Sequence, residues 1–476
     1  MMHGSGARLV DLLPVQIICI IFNYYYSAPK ILATQDAFYA LCVDGTICTH
    51  DMSQFGRTII SHDINIESIT SNHLACVAIS RDGHMLTWGD IDSGGELNAD
   101  ALEAANMNSR RPTSVYPTRY TFSVLFSDGS KVDWGDTKKW RPNLDNLDLS
   151  KVDTLFTNDI FFAALMKDKT VQTWRHSPRR RGFKYTHPAE LSDVIQISLN
   201  RWSFAALLGN GNVVSWGHKD FDLSDKLTHV KRIYSNQAAF AALCEDGSVF
   251  TWGTDWFGGD SSGISHELRN VVDICSTDRA FAAIRRDGSV VAWGDEDCGG
   301  NIRGELEDEY CGGYIRRVGE VPYIGEVSYI CATKEAFAAL TRDGQVVTWG
   351  NLTYGANSSI LGTYPSRQPV TSIHAGRSVF TAISGTKAIT WGYLTPRSGT
   401  WRPHVNVTDI GFHTPVDVVS VRESFLATTD RGDLVTWGAS ANSTWGARAN
   451  NYYLTKIINE RQSFIRKAFK NATGMG

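Results

Sequence analysis

The stretch AFAAIRRDGSVVAWG, residues 280–294, decides the fold, because variants of it recur along the chain. Nine copies end in a tryptophan, and a tenth carries His50 at that point. The nine tryptophans are Trp88, Trp134, Trp174, Trp216, Trp252, Trp293, Trp349, Trp391 and Trp437. Successive tryptophans lie 36 to 56 residues apart. A period of about 40 residues indicates a repeat protein in which each repeat is one structural unit.

Each repeat is predicted to contain a β-hairpin. Two short apolar runs flank Asp287-Gly288, and this pair favours a type I′ turn with positive φ at both central residues. Val290 to Trp293 are apolar on both faces, so the strand must be covered on both sides. Stacked sheets satisfy that requirement. We expect the tryptophan to pack between neighbouring sheets and the Ala-Ala pair to occupy a crowded position.

Composition is that of a folded protein, with 476 residues, 42% hydrophobic and 20% charged. The net charge of −4 makes nucleic acid an unlikely partner. The apolar residues 9–28 are interrupted by Asp11 and Pro14, so no transmembrane segment is expected. We predict a degenerate repeat strand or a weak signal-like segment over 1–30. Residues 31–450 are predicted to form the repeat array, and 451–476 a half-repeat or cap.

The phrase Phe-Ala-Ala-Leu-x-x-Asp-Gly-x-Val-x-x-Trp-Gly resembles the repeat of the regulator of chromosome condensation family. The resemblance runs from Ile31 to Trp445. Glycine pairs at 94–95, 258–259 and 299–300 follow their tryptophans and are similar to a compact variant found in bacterial and protist repeat proteins. The resemblance implies an all-β β-propeller, usually of seven blades. With about ten copies here, the alternatives are a larger ring, seven blades with extra repeats, or an open array.

The family resemblance implies a rigid disk whose loops bind another protein. We therefore expect a non-enzymatic protein-interaction scaffold. Two alternatives stay open: a guanine-nucleotide exchange factor acting on a small GTPase, and a secreted adhesin or inhibitor. No zinc-protease, phosphate-loop or nucleophile-elbow motif occurs in the sequence. No catalytic residue, metal or cofactor is therefore expected, and the compartment, cytoplasmic or secreted, is left undecided.

Two charged segments follow Trp-Gly positions and are predicted to bind a partner, since insertions in repeats map to loops. A surface with opposite charges in two sectors suits oriented docking of a protein. The acidic set comprises Asp295, Glu296, Asp297, Glu305, Glu307, Asp308 and Glu309. The basic set comprises Arg175, Arg179, Arg180, Arg181 and Lys184.

The remaining candidates are expected to be structural. Eight tryptophans are assigned to the packing of the repeat: Trp88, Trp134, Trp216, Trp252, Trp293, Trp349, Trp391 and Trp437. Further tryptophans outside the phrase, Trp256 among them, are expected to pack under loops, and an exposed interface anchor is the alternative. Aspartates near glycine, such as Asp260, are explained by turn chemistry better than by Ca²⁺. Strand cysteines are expected to be free, while Cys298 and Cys311 are candidates for a disulfide.

Overall fold

The chain is an all-β propeller, described here in a computed structural model. The described residues are 30–33, 37–41, 47–51, 66–98, 100–101, 103, 110–118, 120–136, 147–158, 161–175, 185–186, 191–218, 227–302, 325–358, 368–394, 402–410, 415–421, 424–429 and 434–438. Within them, ten antiparallel sheets follow one another along the chain. Each sheet holds one copy of the repeat and is called a blade. Of the predicted segment 1–30 only Lys30 is described, and the predicted segment 451–476 lies outside the described residues.

The first five blades span β1 to β16. Blade 1 contains β1 (Lys30–Ala33), β2 (Ala37–Leu41) and β3 (Ile47–Asp51). Blade 2 contains β4 (Ile66–Ser71), β5 (Ala75–Ser80) and β6 (Met85–Gly89), and blade 3 contains β7 (Pro112–Pro117), β8 (Thr121–Phe126) and β9 (Lys131–Gly135). Blade 4 contains β10 (Val152–Thr157), β11 (Phe161–Met166) and β12 (Val171–Arg175). Blade 5 contains β14 (Val194–Leu199), β15 (Ser203–Leu208), β16 (Val213–His218) and an added edge strand, β13 (Tyr185–Thr186).

The other five blades span β17 to β32. Blade 6 contains β17 (Val230–Ser235), β18 (Ala239–Cys244) and β19 (Val249–Gly253), and blade 7 contains β20 (Val271–Ser276), β21 (Ala280–Arg285) and β22 (Val290–Gly294). Blade 8 contains β23 (Val327–Ala332), β24 (Ala336–Thr341) and β25 (Val346–Gly350). Blade 9 contains β26 (Ser372–Ala375), β27 (Val379–Ser384), β28 (Lys387–Leu394) and β29 (Arg402–Asp409). Blade 10 contains β30 (Pro415–Val421), β31 (Ser424–Thr429) and β32 (Leu434–Gly438).

The hydrophobic core lies between blades. Trp293 of blade 7 packs with Ala241 and Leu243 of blade 6 in one buried cluster. On the middle strand β21, Ala283 belongs to this cluster, whereas Ala282, on the opposite face, belongs to the cluster shared with blade 8, together with Phe337. The middle strand β21 is thus buried on both faces. Its small alanines let adjacent blades approach closely, while the tryptophan fills the space between them. The cover predicted for Val290 to Trp293 concerns β22, where Val291 and Trp293 are buried against blade 6 and Val290 and Ala292 are half-buried against the blade 8 cluster.

In blades 3 to 10 the Phe and Trp of the repeat stack on one another within the blade, whereas blade 2 has Cys76 opposite Trp88. In blade 7 the rings of Phe281 and Trp293 lie 5.3 Å apart between centroids at an interplanar angle of 22°. The register pairs the two residues directly across neighbouring strands. In blade 1, His50 lies opposite Phe38 in the same register, as its position in the repeat predicts.

The Asp-Gly hairpins are three-residue loops with a bulge, so the predicted type I′ turn is wrong. In blade 6 the Cys244 N–H donates to Ser248 O (2.9 Å), and the Gly247 N–H donates to Cys244 O (3.0 Å). Gly247 has a φ of 82°, whereas Asp246 does not have a positive φ. The Asp246 carboxylate instead accepts a hydrogen bond from Ser248 N at 2.9 Å. That bond holds a type I turn, which leaves a single left-handed position for glycine.

The described blades close into a ring. The first strands contact one another in chain order, from β1 to β4, β7 and β10, and then from β14 through β17, β20, β23 and β26 to β30. Blades 4 and 5 share a buried cluster that joins Ala163 to Phe204. Strand β30 of blade 10 contacts β1 of blade 1, which completes the circle. Of the three predicted arrangements, the blade contacts therefore describe the larger ring.

Candidate functional site: the mouth face of the ring

The loops between the first and second strands converge at one end of the ring. We call them mouth loops, and the end that carries them the mouth face; the opposite end carries the Asp-Gly hairpins and is called the turn face. Mouth loops of blades 2 to 9, together with Ser420 of β30 in blade 10, line one cavity of about 1030 Å³. A cavity lined by so many successive blades lies on the ring axis. Its volume is at the upper end of the range of about 300–1000 Å³ usual for ligand sites.

A buried Asn or Thr fixes the mouth loop in each of blades 5 to 8. The Asn236 Oδ1 accepts hydrogen bonds from Ala238 N (3.1 Å) and Ala239 N (2.8 Å). Its Nδ2 donates to Phe257 O at 2.7 Å, in the turn that follows Trp252-Gly253. Thr277 makes the corresponding bonds in blade 7, and Thr333 in blade 8. These side chains tie the mouth loop to the post-tryptophan turn, so both belong to the same face.

Sequence reasoning missed these residues. The signal was an Asn or Thr three positions before the first strand residue of the repeated phrase, as in Asn72, Asn200 and Thr333. Asn and Thr side chains commonly hold turns by bonding to backbone N–H groups two or three residues later. This recurring Asn or Thr is visible in the sequence, but it predicts only a turn and does not indicate that the turns of successive repeats line one cavity.

The mouth loops of neighbouring blades are joined by a chain of backbone hydrogen bonds. Arg201 N donates to Gln237 O (3.1 Å), and Gln237 N donates to Asp278 O (3.2 Å). Asp278 N then donates to Lys334 O (2.7 Å), and Lys334 N to Arg377 O (3.2 Å). Because these amides are paired across blades, the mouth loops of blades 5 to 9 form a continuous arc along the cavity, which we call the rim.

Cations outnumber carboxylates among the charged residues of this rim. Arg201 and Arg377 are exposed and Lys334 is half-buried, whereas Asp278 is the one carboxylate among the described residues that line the cavity. Burial raises the pKa of the Asp278 carboxyl above its ordinary value, while Lys334 and Arg279 act in the opposite direction. The guanidinium of Arg201 also lies 6.0 Å from the ring centroid of Trp202. The described mouth therefore presents a net positive charge at neutral pH.

Short 3-10 turns follow Trp-Gly in four blades and surround the mouth. They span Ile91–Ser93, Asp255–Phe257, Glu296–Cys298 and Leu352–Tyr354. They present exposed apolar side chains: Trp256 is 78% exposed, Ile91 67% and Leu352 44%. The expectation that Trp256 packs under a loop is therefore wrong. Its turn leaves the indole outside the inter-blade core.

The glycine that ends each of these turns joins adjacent blades. Gly258 has a φ of 84°, and its carbonyl accepts a hydrogen bond from the Trp293 indole at 3.1 Å. The same bond links Trp134 to Gly94, Trp349 to Gly299 and Trp391 to Gly355. A side chain on Gly259 would place its Cβ 2.4 Å from the Gly253 carbonyl carbon. The Gly-Gly signature thus has a structural cause in the close approach of two backbone segments.

Part of the predicted acidic set lies on this face. Glu296 and Asp297 are exposed on the 3-10 turn of blade 7. Asp295 has a structural contact, because its carboxylate pairs with Arg279 at 2.8 Å and accepts a hydrogen bond from Asp297 N at 3.0 Å. Glu305, Glu307, Asp308 and Glu309 lie outside the described residues, so their role stays a prediction.

Of the predicted basic set, the structure describes one residue, Arg175. Arg175 ends β12, where it pairs with Phe161. Arg179, Arg180, Arg181 and Lys184 lie outside the described residues. Whether they face the acidic set stays a prediction.

The described cysteines and aspartates have structural surroundings. Cys298 is fully buried and free, and burial raises its pKa to about 12; Cys311 lies outside the described residues. Asp260 accepts a hydrogen bond from Ser262 N at 2.9 Å, as turn chemistry predicts. Within the described ranges, no cluster of three or more His, Cys, Asp or Glu side chains is arranged to hold a metal ion. No helix among the same residues has the length and apolarity needed to span a membrane.

No protein-family model and no curated protein matches the chain. It is similar in structure to the WD40 ectodomain of the Arabidopsis thaliana receptor kinase ACR4, at 13% identity and a TM-score of 0.31, over 61% of this chain and 96% of that one. It is also similar to yeast RCC1 (Prp20) bound to Kap60, at 16% identity and 0.31, over 81% and 95%. Human WBSCR16 matches at 14% identity and 0.32, over 78% and 88%. The propeller description rests on the strand pairing and blade contacts of the chain itself.

Proposed function

We propose that this chain is a non-enzymatic protein-interaction scaffold that binds its partner on the mouth face. The exposure of Trp256 carries the proposal, because an indole that is 78% exposed on a structured turn is a typical interface anchor. Ile91 and Leu352 add exposed apolar area on the equivalent turns of blades 2 and 8.

The rigidity of this face supports the same function. Asn236 bonds to Phe257 O beside Trp256, and the carbonyl of Gly258 is bonded to Trp293 of the next blade. A side chain presented by a turn that is already ordered loses little conformational freedom on binding. Glu296 and Asp297 on the neighbouring turn place negative charge beside this aromatic anchor, which favours a partner with basic groups there.

The experiment is affinity capture with the immobilised full chain and two matched variants. Trp256→Ala removes the anchor, whereas Phe250→Ala removes an aromatic side chain that is 51% exposed on the edge strand of the same blade. We expect proteins that are retained by wild type and by Phe250→Ala and are lost from Trp256→Ala. Equal retention by all three forms would remove Trp256 from the interface.

The identity of the captured protein separates the scaffold from an exchange factor. A captured small GTPase calls for a nucleotide-release assay with purified components. Accelerated release would replace the passive scaffold with the exchange-factor alternative, and unchanged release would support the scaffold.

A further inference from the structure

Among the described residues, the ring axis carries positive charge at the point where the mouth loops meet. Arg201, Lys334 and Arg377 come from blades 5, 8 and 9, and all three line the axial cavity. Asp278, from blade 7, is the opposing carboxylate among the described residues of the lining. A concave site lined mainly by one sign of charge concentrates its potential inside the cavity.

The backbone that carries these charged side chains is held in a fixed geometry. Along these loops, a backbone N–H of each loop donates a hydrogen bond to a carbonyl of the next loop, in the order Arg201, Gln237, Asp278, Lys334 and Arg377. The loops are therefore tied together in the absence of a ligand. The loop backbone therefore needs no ordering when an anion binds, and the conformational cost is confined to the side chains, which favours binding over a mobile loop.

The exposed carboxylates around the mouth favour an acidic polypeptide over a nucleic acid as the bound anion. Carboxylates occupy the exposed 3-10 turns, at Asp92, Asp255, Glu296 and Asp297, and the whole chain has a net charge of −4. A nucleic-acid strand lying across the face would meet these carboxylates with its phosphates. A single polypeptide segment that enters along the axis avoids them. Its backbone N–H and C=O groups also match the mixed donors and acceptors of Gln237 and Asp278.

We propose that the axial mouth binds an acidic segment of the partner protein, whose carboxylates pair with Arg201, Lys334 and Arg377. The inference deepens the proposed scaffold function and rests on it. The partner's acidic segment enters the cavity, while its surrounding surface contacts the Trp256 turn.

The test is fluorescence anisotropy with a labelled oligoglutamate peptide and the full chain at physiological salt. We expect the peptide to bind, and the double variant Lys334→Gln/Arg377→Gln to raise Kd by at least about tenfold, as expected for the loss of interfacial charge partners. The variant Asp278→Asn removes the opposing charge and should lower Kd. The matched control is Arg81→Gln/Arg286→Gln, which makes the same change in net charge at exposed positions on the turn face. It should change Kd by no more than about twofold, since exposed surface charges contribute little.

Each outcome decides the inference. Absence of peptide binding to wild type overturns it, as does an equal loss of affinity in the control variant, which would show a diffuse charge effect. Tighter binding of a single-stranded oligonucleotide than of the peptide, with the same dependence on Lys334 and Arg377, would replace the acidic peptide by nucleic acid. Trp256→Ala should retain its affinity for the isolated peptide. The acidic-segment inference and the proposed role of Trp256 are therefore tested independently of each other.

Discussion

The indole Nε1 of Trp293 donates a hydrogen bond of 3.1 Å to the carbonyl oxygen of Gly258, which lies in the preceding blade, 35 residues earlier in the chain. The tryptophan therefore contacts the preceding repeat twice, because its ring packs against that blade and its N–H group donates a hydrogen bond to it. In blade 10 the acceptor is a hydroxyl, since Trp437 donates to Thr381 Oγ1 at 2.9 Å, whereas the buried Nε1 atoms of Trp174 and Trp216 have no hydrogen-bond partner within the described part of the chain. The repeated Trp-Gly phrase thus encodes the contact between blades as well as the hairpin within each blade.

The two contributions of Trp293 can be separated by substitution. Trp293→Ala removes the ring and is expected to lower the free energy of unfolding by about 3–5 kcal/mol. Trp293→Phe keeps most of the ring but leaves the Gly258 carbonyl unpaired, at a cost of about 1–3 kcal/mol. Urea unfolding followed by circular dichroism measures both. Trp256→Ala is the control and should stay within about 0.5 kcal/mol of wild type; a Trp293→Ala protein as stable as this control would contradict the packing between blades.

The second glycine of the Gly-Gly pair is expected to tolerate no side chain. In Gly259→Ala the new Cβ meets the carbonyl group of Gly253 within 2.5 Å, so the backbone must shift. Overpacking of this kind costs about 1–3 kcal/mol. Gly263→Ala, four residues later in the same loop, meets no heavy atom within 4 Å and serves as the matched control. Thermal unfolding should show a lower midpoint for Gly259→Ala alone, and equal midpoints would disprove the close approach.

Asp295 is expected to act in the fold rather than in partner binding. Asn351 occupies the equivalent position in blade 8 and accepts the same hydrogen bond, from Thr353 N at 2.9 Å. Asp295→Asn should therefore preserve the turn, while Asp295→Ala loses the cap and about 1 kcal/mol of unfolding free energy. Protein capture and urea unfolding on both variants test this assignment. Loss of capture by a stable Asp295→Asn protein would return Asp295 to the binding surface.

An alkaline titration is expected to report on Tyr234. Its hydroxyl donates to Asp273 Oδ1 at 2.6 Å between blades 6 and 7, and burial together with this bond raises the pKa of Tyr234 from 10.0 to about 12. A pKa raised in the folded state stabilises the protein below the unfolded pKa, and this stabilisation is lost as the pH rises through the folded value. The difference in unfolding free energy between wild type and Tyr234→Phe should therefore be constant below pH 10 and shrink between about pH 10 and 12. A difference that stays constant across this range would show that the phenol titrates normally.

The sequence by itself determined the hairpin, the number of repeats and the buried tryptophan. Residues such as Asp287, Gly288 and Trp293 act within one repeat or with its immediate neighbour, so their spacing carries the information. Even here the turn type was missed, since a carboxylate bond to the backbone N–H two residues later decided it, as Asp246 shows.

Only the tertiary structure decided the ring closure and the mouth. The contact between β1 and β30 joins the two ends of the array, and it depends on small angles between successive blades that no single repeat specifies. Arg201, Lys334 and Arg377 are far apart in the chain, and the ring brings their loops to the lining of one cavity. The sequence shows each of them as an isolated charge in a short loop, because charges become a site only when distant loops are brought to the same axis.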